Sequence, residues 1–176
     1  MSINVERTAL MEFLKAREVE YFSKAKELRE EVEKWLSYTP QTFPHYTRHT
    51  VQHSDEIISQ ASKFLFKDGD SNKPVVALTP VEAYILIAAA YLHDSGMVSS
   101  DREKMDILQS EDWKRWTSGE NGGAKRWQEI LTLRQSAEPA EDIRNFLADL
   151  QTRFLVAEFI RRAHHWRAAD VVQQHQ

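Results

Sequence analysis

The sequence predicts a single all-α domain, and three observations support this fold class. Glycine and proline number only five each in 176 residues, so few positions force the chain out of a helix. Apolar residues recur at spacings of three and four through most of the chain, which is the period of a helix with one buried face. The longest stretch with strand character is the short run 74–78.

Apolar spacing and end signals predict the first helices in order. Residues 4–36 carry the helical period, and the proline-containing stretch 38–44 ends it. A second helix is predicted from Thr47, as its cap, to about Phe66. Residues 68–74 combine aspartate, glycine, asparagine and proline, which is typical of a loop.

The next helix has the clearest start and stop signals in the chain. Thr79 is a capping residue, Pro80 follows at the first helical position, and Glu82 places an acid in the first turn. The apolar run that follows ends at the pair His93-Asp94, and Gly96 lies just past the end.

The second half of the chain is also predicted to be helical. A helix begins at Ser100, and the glycine-rich stretch 119–123 is interpreted as an ordinary loop, with a mobile lid as the alternative. Further helices are predicted at 124–135, at 140–150 and from about 151 towards the end. The last helix reaches residue 176 without a stop signal, so we expect the N-terminal part of a longer protein.

Composition narrows the class of protein. Hydrophobic residues make up 41% and charged residues 28%, which is enough apolar material for a core. The chain has no cysteine, so a metal could be held only by nitrogen and oxygen ligands. No apolar run reaches the ~18 residues that span a bilayer, and residues 1–7 lack the apolar core of a signal peptide. We therefore expect a cytoplasmic protein.

Histidines and one aspartate provide the candidate metal ligands. The pair His93-Asp94 ends an apolar helix, where an imidazole beside a carboxylate is poor core material but a good ligand pair. His49 and His53 are four residues apart, so they share one face of a helix. His164 and His165 are adjacent on the last helix, so at most one of them can readily face the same site.

Three segments of the chain resemble a known family. The segment 46–57 contains His53-Ser54, the segment 91–97 contains Leu92-His93-Asp94-Ser95-Gly96, and 161–167 has the pattern Arg-x-x-His-x-x-Arg. Together they resemble the HD-domain superfamily of metal-dependent phosphohydrolases, most closely its HD-CE subgroup. The resemblance covers roughly residues 43–170 and implies that they fold as an HD-domain helical bundle. Residues 1–40 are then an N-terminal helical extension of the single domain 1–176.

The resemblance implies a set of metal ligands. His53, His93 and Asp94 match three of the four ligands of the family, and the fourth is an aspartate on a later helix. Asp170 is the candidate in this sequence, although it follows His165 closely, and the alternative is a ligand beyond residue 176. The cofactor is then a divalent ion such as Mn, Fe, Ni, Co, Zn or Mg.

The resemblance also implies a substrate pocket and a reaction. His164 joins the catalytic set, and with His49 it lines the pocket and binds either the substrate phosphate or a second metal. Arg48, Arg161 and Arg167 neutralise phosphate oxygens. The implied reaction is hydrolysis of a nucleotide or another small phosphate ester by a metal-activated water. Two alternatives remain open. The first is a catalytically incomplete domain that senses nucleotide or metal, or acts as a scaffold, for an ATPase partner. The second is a helical interaction domain in which the histidines are structural.

Other expectations concern partners and aromatic residues. In the HD-CE subgroup the domain often precedes an Hsp90-like or histidine-kinase-like ATPase module, so such a module is an expected partner in the same or another chain. The net charge of −4 makes nucleic acid an unexpected partner. The apolar stripe within 15–34 leaves a homodimer open. The tryptophans Trp113, Trp116 and Trp127 are interpreted as core or interface residues, with base stacking as the alternative.

Overall fold

A computed structural model describes residues 3–38, 50–119 and 122–174 of the chain. These residues form eight α-helices and three short 3₁₀ turns, and their only strand-like pairing is an isolated bridge between Phe66 and Pro74. The predicted all-α fold is confirmed. None of the described helices is long and apolar enough to cross a membrane.

The helices are numbered α1 to α8 in chain order. Their bounds are α1 Ala9–Arg17, α2 Val19–Leu36, α3 Val51–Leu65, α4 Pro80–Leu92, α5 Asp101–Gln109, α6 Glu111–Ser118, α7 Gly122–Gln135 and α8 Glu141–Gln174. The 3₁₀ turns are Val5–Arg7, Lys67–Gly69 and Ser95–Met97.

The N-terminal half differs from the predicted helices at two points. The predicted helix over 4–36 is broken at Glu18, whose φ of −153° and ψ of 89° separate α1 from α2. Neither glycine nor proline is present there, so the break has no signal of the usual kind in the sequence. The described α3 begins after Thr50, and the predicted cap Thr47 lies outside the described residues.

The C-terminal half differs at two further points. Ser110 divides the helix predicted from Ser100 into α5 and α6, because its hydroxyl accepts a hydrogen bond from the backbone N–H of Trp113 at 3.1 Å and so caps a new helix. The helical prediction for 140–150 and from 151 is confirmed, but the division between the two helices is wrong, since α8 runs without interruption for 34 residues.

Two hydrophobic clusters hold the helices together. The first joins the N-terminal helices to α3 and α4, so residues on both sides of the segment 39–49 share one core. The second is built from α5 to α8 around Trp113, which is 2% exposed, with Trp116 and Trp127 packed against it. The three tryptophans therefore lie in or against a core, as predicted.

The 3₁₀ turn Ser95–Met97 connects the two clusters. Met97 belongs to the second cluster, and Val98, immediately after the turn, packs against the first. An ideal Cβ on Gly96 would lie 1.9 Å from the backbone oxygen of His164, so α8 lies directly on this turn. Only a residue without a Cβ permits that approach.

Candidate metal centre

The helix α4 ends where the sequence predicts, and its ends are fixed by local chemistry. Thr79 and Glu82 form a reciprocal capping box at its start, with Pro80 in the first turn. His93 is the C-terminal cap residue and keeps helical dihedral angles. Asp94 has φ −96° and ψ 0°, and the chain then enters the 3₁₀ turn. The helix has 13 residues, and the two candidate ligands therefore follow directly after its last residue, Leu92.

Helices α3 and α4 run antiparallel and bring three candidate ligands together. The rings of His53, near the start of α3, and His93, at the end of α4, have centroids 5.4 Å apart. One ligand atom each from His53, His93 and Asp94 can be chosen so that all three lie within 4.8 Å of one another. This spacing is compatible with a shared metal ion.

The orientation of the His93 ring suits metal binding. Its Nδ1 donates to the backbone oxygen of Ala90 at 2.8 Å, because a carbonyl oxygen can only accept. Its Nε2 lies 3.0 Å from Oδ2 of Asp94. A histidine that ligates a metal through one nitrogen commonly donates from the other to a carbonyl oxygen. The backbone of α4 thus fixes the ring with Nε2 facing the carboxylate.

The electrostatics at His93 favour a cation. The hydrogen bond to Asp94 raises the pKa of His93 above its usual value, burial opposes the rise, and the Ala90 carbonyl and the Asp94 charge add to it. The Asp94 side chain is only 4% exposed, whereas that of His93 is 33% exposed. A position between Nε2 and the buried carboxylate therefore attracts positive charge and can be reached from solvent.

A buried network beside these ligands was not predicted. Asp55 accepts hydrogen bonds from Nε and Nη2 of Arg29 at 3.0 and 2.7 Å, and from the hydroxyl of Tyr91 at 3.1 Å. Burial raises the pKa of the Tyr91 hydroxyl, and the neighbouring Asp55 charge adds to the rise. The hydrogen bond that Arg29 donates to Asp55 raises the pKa of Arg29. The sequence held a signal, since Asp55 shares the apolar face of Val51 and Ile58 and an acid there needs a partner.

The predicted phosphate-binding residues of α8 have protein partners. All three guanidinium nitrogens of Arg167 donate to the protein: Nε to the Gly96 oxygen at 2.7 Å, Nη2 to the Val98 oxygen at 3.0 Å and Nη1 to Glu103 at 2.6 Å. Arg161 is exposed and pairs with Glu158. Arg167 therefore fastens α8 to the turn and to α5.

The remaining predicted residues lie outside the three-residue group. His164 is half-buried, and its Nδ1 lies 2.6 Å from the backbone oxygen of Arg161. His165 and Asp170 are exposed on α8. Ala168 faces Gly96, and two further residues turn a helix by roughly 200°, so Asp170 lies on the opposite side of α8 from the turn.

Two predicted residues, Arg48 and His49, lie outside the described residues. The structure thus brings together His53, His93 and Asp94, and does not bring Asp170 to them.

Of three comparisons with known proteins, one found a match. A search of curated proteins and a search of solved structures found no match. The family model named HD-CE matches residues 43–176, about three quarters of the chain, and that region contains all three residues of the cluster. The chain therefore belongs to the HD-CE family.

Proposed function

We propose that this domain binds one divalent metal ion through His53, His93 and Asp94, and that it hydrolyses a phosphate ester of a nucleotide or a related small molecule. The observation that carries the proposal is the convergence of the three ligand atoms within 4.8 Å at the junction of α3, α4 and the following turn. Family membership supports the same conclusion.

The donor set fits a metal of the first transition row. Two imidazole nitrogens and one carboxylate oxygen suit Mn, Fe, Co, Ni and Zn, and the absence of cysteine leaves no thiolate to compete. A divalent ion bound here supplies a Lewis acid for a phosphoryl oxygen and lowers the pKa of water. His93 is held by the Ala90 carbonyl in the tautomer that leaves Nε2 for the metal, and Asp94 contributes the negative charge.

The half-exposed side of the site is where substrate would enter. His93 is a third exposed, whereas the Asp94 carboxylate is almost fully enclosed. A three-residue donor set leaves coordination positions for phosphate oxygens and water, as in other catalytic metal sites. His164, on the helix that lies against the following turn, is proposed as a pocket residue that contacts the phosphate.

A second candidate function is supported by the number of ligands. The described residues contribute three ligands, and the proposed fourth, Asp170, is exposed on the far side of α8. A domain with an incomplete ligand set would bind metal or nucleotide without turnover, as a sensor or scaffold for an ATPase module. The hydrolase requires both a bound metal and turnover, whereas the sensor or scaffold shows no turnover.

One experiment separates the candidates. Metal content is measured after reconstitution with Mn, Fe, Co, Ni or Zn for the parent chain, for His93→Ala and for Asp94→Asn, beside a screen of nucleotides and small phosphate esters. His165→Ala is the matched control, because it removes an exposed histidine outside the cluster.

We expect near-stoichiometric metal in the parent and the control, and at least about 100-fold weaker binding in the two site variants. Turnover that disappears with the metal identifies a hydrolase, and bound metal without turnover identifies the sensor or scaffold. A parent chain that takes up no metal refutes the hydrolase and the metal sensor, and leaves only a nucleotide sensor or a scaffold.

A further inference from the structure

The buried carboxylate of Asp55 joins the two segments that carry the metal ligands. Asp55 lies two residues after His53 on α3, and Tyr91 lies two residues before His93 on α4. The Tyr91 hydroxyl donates to Oδ1 of Asp55 at 3.1 Å. This hydrogen bond therefore connects the ligand-bearing end of α3 directly to that of α4.

Arg29 fixes the same carboxylate from a third helix. Its Nε lies 3.0 Å from Oδ1 and its Nη2 lies 2.7 Å from Oδ2, which is a two-pronged pair. The Asp55 side chain is 3% exposed, and that of Arg29 is 26% exposed. The planar guanidinium determines the orientation of the carboxylate, and the carboxylate in turn determines where the Tyr91 hydroxyl can lie.

The position of this network points to more than a contribution to stability. A buried ion pair is often no more stabilising than apolar residues of the same volume, and its best-attested use is to fix one arrangement of elements. Metal donors must be held within about 0.5 Å of their working positions. Two residues of helix span about 3 Å, so each ligand lies close to the network along its own helix. Any sliding or rotation of α3 against α4 at the network would therefore displace His53 relative to His93 by nearly the same distance.

We infer that Asp55, Tyr91 and Arg29 are positioning residues that hold His53 in register with His93 and Asp94 for metal binding. The inference rests on the proposed metal site and adds the device that sets its geometry. The three residues act through the backbone of α3 and α4, and the metal ligands themselves remain His53, His93 and Asp94.

The test uses Co²⁺ as the probe, since its visible spectrum reports the coordination geometry. Tyr91→Phe removes one oxygen and keeps the buried ring. The matched control is Tyr84→Phe, on the same helix two turns earlier, where the ring stacks on Tyr21 with centroids 5.3 Å apart. Dissociation constants and spectra are measured for the folded proteins, and a urea unfolding curve without metal identifies the folded fraction of each.

We expect Tyr91→Phe to bind Co²⁺ about tenfold more weakly, as removal of a group that orients metal ligands commonly does, and to change the visible spectrum. Tyr84→Phe should retain the parent affinity and spectrum. A purely structural role for Tyr91 would shift the unfolding curve and leave the spectrum of the folded protein unchanged, and that result overturns the inference.

A second variant covers the case in which Tyr91→Phe does not fold. Arg29→Lys keeps the positive charge at a partly exposed position and removes the two-pronged pair, so it should also weaken Co²⁺ binding and alter the spectrum. Parent affinity and spectrum in Arg29→Lys overturn the inference. A parent chain that binds no Co²⁺ refutes the proposed function together with this inference, whereas a defect confined to the variants supports both.

Discussion

Replacement of Gly96 by alanine should separate the last helix from the turn that follows the candidate ligands His93 and Asp94. A Cβ built on Gly96 lies 1.9 Å from the backbone oxygen of His164 and 2.7 Å from the backbone nitrogen of Ala168. Both neighbours are main-chain atoms of α8, so no side chain can rotate away to make room. The helix itself must move.

The cost of that movement can be worked from the contacts at the turn. Ordinary contact begins near 3.4 Å, so α8 would have to retreat by about 1.5 Å. Such a shift would lengthen the hydrogen bonds from Arg167 to the oxygens of Gly96 and Val98, now 2.7 and 3.0 Å. Overpacking costs about 1–3 kcal/mol and a lost hydrogen bond from a charged donor about 1.5–3 kcal/mol. We therefore expect a loss of roughly 3–5 kcal/mol.

The assay is urea unfolding followed by circular dichroism, with a second glycine as the control. Gly122 lies at the start of α7, and a Cβ there would meet nothing within 4 Å, so Gly122→Ala should change the unfolding free energy by no more than about 0.5 kcal/mol. If Gly96→Ala stays within about 1 kcal/mol of the parent, the close approach of α8 to the turn is refuted.

Three further predictions concern stability. Arg167→Met should lower the unfolding free energy by about 2–4 kcal/mol, because the carbonyl oxygens of Gly96 and Val98 and the Glu103 carboxylate lose the hydrogen bonds that Arg167 donates. A rise in KM at unchanged stability would instead assign Arg167 to substrate binding. Burial alone raises the pKa of Glu103, but the hydrogen bond and charge of Arg167, with bonds from Ser99 and Ser100, hold it below its usual 4.5. Ionised Glu103 therefore contributes its full stabilisation above the pKa of the unfolded state, and the contribution is lost as pH falls through the lower pKa of the folded state. The difference in unfolding free energy between the parent and Glu103→Gln should stay constant from neutral pH to the usual pKa of 4.5 and should shrink at lower pH; a difference that does not change with pH contradicts this. Thr79→Ala should cost about 1 kcal/mol in thermal or urea unfolding, since it removes the capping box.

The sequence predicts helices well where local chemistry marks their ends. The bounds of α4 follow from Thr79, Pro80 and Glu82 at one end and His93-Asp94 at the other, because caps and a first-turn proline act within a few residues. The break at Glu18 and the unbroken length of α8 have no such marks. Residues 141–174 contain no glycine or proline, so no local signal divides α8. The break at Glu18 has no local signal either, and apolar spacing alone does not predict it.

The candidate site also has a part that the sequence predicts and a part that it does not. The motifs around His53 and His93-Asp94 resemble those of the HD-domain superfamily, and that resemblance implied that these residues meet. The structure brings the three residues together. The partners of Asp55 lie 26 and 36 residues away on other helices, so the sequence can show that a buried acid needs partners but cannot name them. Helix registry, which depends on the whole core, makes that choice.

Arg167 shows how one sequence pattern can serve two physical purposes. The spacing Arg-x-x-His-x-x-Arg led us to predict a phosphate-binding residue, but all three nitrogens of Arg167 donate to the turn and to α5. The turn begins immediately after Asp94, and α8 lies on Gly96 without an intervening side chain. The same arginine therefore fixes the backbone that follows Asp94, a candidate metal ligand, and ties that backbone to α8.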